Sequence, residues 1–303
     1  MKKRAFSVAK SRIRGFSLIE LLVSMVIGLV VVGAVLVSYI SSGQTGKRQA
    51  AYSEMNENAQ IGLTMIRQDL LLAGYAKGTQ IQTVAGVKSF GKTFATKPIF
   101  GCAGGFSAPN SVAVTDPACA SGASPGIEII YEADLTNTVP SGAYPSDCLG
   151  NSLQYVAQTV TVGGNAIDYY QTRNRYYLTT GTSGRSELHC ASAAKNSAGN
   201  AIAGQPLVDN VEAMQILYGE AASAGSRQIV RYVAANAVTD WQNIISVRTC
   251  LLMRSADQVL SLEDTSSGLA GYLDCASASQ TSADGYVRRA YFLTTTLRNK
   301  MTF

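Results

Sequence analysis

Between Phe16 and Ile40 the chain is apolar except for Ser17, Glu20, Ser24, Ser38 and two glycines. A run of this length can cross a bilayer as one helix, which takes about 20 residues. Nothing else in the sequence restricts the fold as much, because the rest must be built to one side of that helix. The residues before it, "MKKRAFSVAKSRIRG", carry Lys2, Lys3, Arg4, Lys10, Arg12 and Arg14 and no acid. A basic flank stays on the cytoplasmic side, so everything after Ile40 is expected outside the cytoplasm. Glu20 is the anomaly. A carboxylate inside an apolar span is costly and is normally paired. A plain anchor explains the length but not the acid. A cleaved secretory signal fits worse, because its apolar region is shorter and ends at a small-residue site, and none stands out after Ser38.

The net charge of +5 belongs to that leader: 25 basic residues less its six leaves 19, against 20 acidic. A general basic surface for nucleic acid is therefore not supported. Cys102, Cys119, Cys148, Cys190, Cys250 and Cys275 all follow the apolar run, and none forms a CxxC pair. An even number of cysteines in an exported domain points to disulfides. Zinc would want closely spaced ligand pairs. The pairing stays open at this level.

After "SSGQTGK" (41–47), which reads as a place where the helix loosens, Met55, Ala59, Gly62, Ile66, Leu70 and Ala73 recur at steps of three and four. That spacing predicts a helix with an apolar stripe for core packing, and Gly74 is its natural stop. One helix from Phe16 to Gly74 would be about 90 Å long. Residues 76–126 read as loop-rich with short strands. Beyond them come strand-like runs: "IEIIYEADL", "LQYVAQTVTV", "RYYLTT", "VEAMQILYGE", "QIVRYVAA", "IISVRTCLLMRS" and "YVRRAYFLTTTLRN". The expected class is α+β: a long N-terminal helix, its first half 16–40 transmembrane, packed on a mostly antiparallel β-sheet domain. The expected divisions are a leader at 1–15, the helix at 16–75 and a β-rich domain at 76–303.

Signals for chemistry are thin. "GVKSFGKT" (86–93) spells a phosphate-cradling loop, but Pro98 and Gly101 follow where the required helix should begin. We read it as a Gly/Lys loop. His189 is the only histidine, which leaves a triad or a multi-histidine metal site hard to build; it reads as an exposed or half-buried strand residue. Glu263 and Asp264 read as solvated surface. Tyr169, Tyr170, Tyr176 and Tyr177 beside Arg173 and Arg175 have the composition of a single-strand stacking platform or a protein interface, and also of ordinary strand ends. No cofactor, metal or catalytic role is expected.

"RGFSLIELLVSMVIGLVVVGAVLVSY" resembles the N-terminal signature of type IV pilins and pseudopilins: a basic leader, then Gly15, Phe16 and Glu20. The resemblance implies cleavage between Gly15 and Phe16 by prepilin peptidase and N-methylation of Phe16, with the helix retained. It also implies that Glu20 pairs with the Phe16 amine of a neighbouring subunit, so that two charges costly to bury alone compensate each other. "LVDNVEAMQILYGE", "ISVRTCLLMRS" and "RRAYFLTTTLRN" resemble the minor pilins of the PilW type. That family implies a single-pass inner-membrane protein with a periplasmic domain, which later enters the pilus at or near its tip. Its implied partners are other minor pilins, the major pilin, prepilin peptidase and the inner-membrane assembly platform. A minor pseudopilin of a type II secretion system, similar to the GspJ type, is the alternative. A membrane-anchored enzyme or receptor is a third reading, which predicts that Gly15–Phe16 stays uncut. Major pilins often carry a proline where this chain has Val37; Gly28 and Gly33 are the residues here that could loosen the helix instead.

Overall fold

The computed structural model describes residues 15–84, 87–93, 97–113, 115–122, 124–223, 225–261 and 270–300. The basic residues of the leader, Gly86, Glu263 and Asp264 lie outside the described residues.

Helix α1 runs Leu18–Leu72 without a break. Ser17 caps it: the Ser17 hydroxyl oxygen accepts from the Glu20 N–H at 3.2 Å, and the Ser17 carbonyl accepts from the Leu21 N–H at 3.2 Å. The expected loosening at 41–47 does not occur, and Gly28 and Gly33 are helical as well. No proline interrupts the run, each helical glycine costs only about 1 kcal/mol, and the Thr45 hydroxyl bonds back to the Ser41 carbonyl at 3.1 Å. At the far end Gly74 takes a φ of +75°, a left-handed conformation that glycine adopts without strain. Its N–H donates to the Ile130 carbonyl at 2.8 Å, handing the chain to the first sheet.

By contact the chain divides into two units, 1–49 and 50–303. Within the first, the apolar helix surface is uncovered: its most apolar window has a mean hydropathy of 2.8 with none of it buried.

The second unit holds the rest of α1 and the strands. One six-stranded sheet has the order β3 (Ile99–Cys102), β4 (Gly126–Ala133), β6 (Asn165–Thr180), β7 (Ser186–Ala191), β8 (Gln205–Asp209), with β5 (Ala157–Val162) paired to the start of β6. A four-stranded sheet has the order β10 (Ile229–Val233), β9 (Val211–Ala221), β11 (Ile244–Arg254), β14 (Arg288–Thr296). Two hairpins, β1 (Gly78–Val84) with β2 (Val87–Lys92) and β12 (Gly271–Leu273) with β13 (Ser279–Thr281), account for the other strands among the described residues. Every pairing between these strands is antiparallel. The chain changes sheet at a single residue, Asn210, which takes a φ of 59° between β8 and β9; asparagine tolerates that conformation better than branched residues do.

The stripe read from the sequence is the buried face of α1. Met55, Ala59, Ile66, Leu70 and Ala73 are buried, joined by Ala51 and Leu63. They share one core with Ile129, Tyr131, Leu188 and Val208 of the first sheet and Met214, Ile216, Val247 and Leu251 of the second. Gly62 sits where the helix meets both sheets. A Cβ there would lie 3.1 Å from methyls of Leu188 and of Leu251.

Candidate assembly site

The residues that carry a chemical expectation at the N-terminus lie together at the start of α1. Phe16 precedes the cap and is 83% exposed. Glu20 is the third helical residue and is exposed. Its backbone carbonyl accepts from the Ser24 hydroxyl at 2.5 Å. Among the described residues its carboxylate has no hydrogen-bond or ion-pair partner. A negative charge in the first turn also favours the positive end of the helix dipole. Ser17 was missed as a functional residue, although Ser17-x-x-Glu20 is the spelling of a capping box.

The six cysteines pair in sequence order: Cys102–Cys119, Cys148–Cys190 and Cys250–Cys275, with Cα separations of 5.3, 6.6 and 5.7 Å. Each ties a loop to a strand: to β3, β7 and β11 respectively. No CxxC spacing pointed to these pairs, because the partners meet only through the sheets.

The tyrosine and arginine cluster on β6 is mostly buried, with Tyr170 half-buried. Arg173 and Arg175 are buried beside the buried Glu128. The Arg173 Nε donates to Glu128 Oε1 at 2.8 Å and the Arg175 Nε to Oε2 at 2.5 Å. Arg175 also donates to the Ser111 carbonyl at 3.0 Å and lies over the Phe106 ring at 5.2 Å. Tyr169, Tyr176 and Tyr177 are buried too. The physical reason is register: Glu128 on β4 stands opposite Arg175 on β6, so the charges compensate across the pair.

Residues 87–92 of the phosphate-loop spelling form strand β2. Thr93, its last residue, is buried and donates through its hydroxyl to the buried Glu132. A strand in a hairpin presents no helix N-terminus to a phosphate. His189 lies half-buried on β7, with Nε2 3.1 Å from Glu187. Among the described residues, no group of three or more His, Cys, Asp or Glu is placed to hold a metal ion.

Two polar anchors fasten α1 to the β domain. Asp69 is buried within the helix, and its carboxylate accepts from Tyr131 at 2.8 Å, Tyr176 at 2.6 Å and Asn174 at 2.8 Å. Burial raises its pKa above the usual carboxylate value, and these three bonds offset part of that rise. Burial also pushes the Tyr131 and Tyr176 hydroxyls well up, which keeps them as donors. At the helix C-terminus the Asn299 amide donates to the Leu71 carbonyl at 3.0 Å, one of the carbonyls that the helix leaves unpaired. The terminal "TTTLRN" thereby has a structural role: Leu297 enters the core and Asn299 caps α1.

A capped apolar helix at the N-terminus leads into an antiparallel β domain. Residues 10–36 match the model of the prokaryotic N-terminal methylation motif. Residues 175–299, less than half of the chain, match the model of type IV pilus-assembly protein W. A type IV-like pilin from Thermus thermophilus is similar in structure at a TM-score of 0.41 and 10% identity, over 82% of this chain and 98% of that one. No curated protein matches. On the two family matches, the chain resembles type IV pilin-like proteins, with the N-terminal methylation motif at one end and a PilW-like segment over residues 175–299.

Proposed function

We propose that this protein primes type IV pilus assembly together with other minor pilins and takes its place at or near the filament tip, without catalysis of its own. In this reading residues 1–15 are a leader, removed between Gly15 and Phe16. The Phe16 amine is then methylated, and the helix over 16–40 holds the protein in the inner membrane with the β domain in the periplasm. The single observation that carries the proposal is the Glu20 carboxylate, which among the described residues is exposed and without a partner, on an apolar helix surface left uncovered by the other described residues.

A carboxylate held at that depth is costly until a cation meets it. The amine of a neighbour's Phe16 is such a cation, and it stands at the same end of its own helix. The pair would fix axial register, since each incoming subunit gains the interaction only at one height. Breaking such a pair from one side leaves an uncompensated charge, at a cost of about 3–5 kcal/mol. The match to a pilus-assembly model over residues 175–299 favours the pilus over the secretion pseudopilus.

The test is Glu20→Ala, with the protein quantified in sheared filaments and in membranes. The variant is expected to stay in the membrane fraction and to fall about ten-fold or more in filaments. Unchanged incorporation would refute the pairing.

A further inference from the structure

The four-stranded sheet has two faces. Val247, Leu251 and Met253 of β11 enter the core that α1 covers. The opposite face shows Arg248, flanked by Leu217 on β9 and Thr294 on β14, then Cys250, flanked by Gln215 and Phe292. The loop after β12 lies across this second row, stapled there by Cys250–Cys275. The result is a groove of about 590 Å³ whose lining includes Gln215, Leu217, Arg248, Cys275, Ser277 and Phe292.

Its chemistry is lopsided. Phe292 is 51% exposed, and Leu217 adds a half-buried apolar side chain. Arg248 is the only formal charge in the lining. It is exposed, lies over the Tyr232 ring at 4.4 Å, and has no carboxylate partner among the described residues. The acids nearby are already engaged. Asp274 accepts from the N–H groups of Ala276 and Ala278, both at 2.9 Å, and from the Gln280 amide. Glu220 pairs with Arg231 at 2.8 Å. Tyr232 fixes the guanidinium from one side, leaving its remaining donors for an incoming group.

We propose that this groove docks an acidic segment of a different pilin-fold subunit, its carboxylate on Arg248 and a neighbouring apolar side chain against Phe292 and Leu217. The occupant follows from charge complementarity: one unpaired cation beside exposed apolar surface selects an acid flanked by an apolar residue. The proposal rests on the minor-pilin reading and adds to it the face of the β domain that meets a partner.

The test uses the full chain in its native membranes, with a photo-crosslinking amino acid at Phe292 and the joined segment sequenced by mass spectrometry. The expected product joins Phe292 to a segment of another pilin-fold subunit that contains Asp or Glu. Arg248→Glu is expected to lower its yield about ten-fold, and exchanging the partner's acid for Arg is expected to restore it. Native disulfides in the variant serve as the control for folding. A product within this chain, with a second copy of it or with lipid, a joined segment without an acid, or a yield indifferent to Arg248→Glu would overturn the proposal. If the same membranes hold the chain starting at Phe16 and no such product, the groove alone fails and the pilin reading stands.

Discussion

Asp69 shows most clearly what a single residue does in this fold. It is a buried carboxylate in a helix, held by three uncharged donors and, among the described residues, no cation. Its pKa is raised in the folded protein, by burial first and by nearby Asp147 in smaller part. The stability linked to such a group is fully present below the ordinary aspartate value, about 3.9, and is lost as pH rises through the folded-state value. Asp69→Asn removes that dependence. Thermal melts of both proteins from about pH 4 to pH 7 should show wild type losing Tm relative to the variant as pH rises; parallel curves would contradict this. The sequence did not reveal Asp69, because a charged residue between stripe positions reads as the solvent side of a helix. Arg173 and Arg175 were opaque for a related reason. Their partner Glu128 lies 45 and 47 residues away in sequence and reaches them only through the register of β4 on β6. Glu20 was legible, because its oddity is local: an acid among apolar neighbours.

Among the elements, α1 carries the most information. Its stripe was legible because a period of three and four survives any tertiary detail. Its continuity through 41–47 was not, since glycine and serine lower helix propensity without forbidding a helix. A side chain at Gly62 would meet Leu188 and Leu251 from the two sheets, so Gly62→Leu should destabilise the β domain by about 1–3 kcal/mol in denaturant melts through overpacking. Gly33→Leu, which meets open space, should leave that transition unchanged. The strands were legible as apolar runs, but their order was not. The change of sheet at Asn210 depends on one backbone angle. The disulfides follow from the sheet order. Cys148–Cys190 spans 42 residues and Cys102–Cys119 spans 17. Replacing the first pair by alanines should cost about 4 kcal/mol and the second about 3 kcal/mol, from the loops they close in the unfolded chain. Denaturant midpoints for the two double variants would check that order.

Across the whole molecule, one helix belongs to two regimes. Over 50–72 its apolar stripe is covered by the sheets, and Asp69 and Asn299 fasten it. Over 16–40 its apolar surface is uncovered, which fits membrane anchoring and later incorporation into a pilus. The β domain presents surfaces, and the helix over 16–40 carries a single charge, Glu20. The most direct measurement is N-terminal mass spectrometry of the protein from its native membranes, with and without prepilin peptidase. A chain beginning at N-methyl-Phe16, and lost when the peptidase is absent, is the expected result. A chain beginning at Met1 in both cases would contradict it and leave a plain anchored domain.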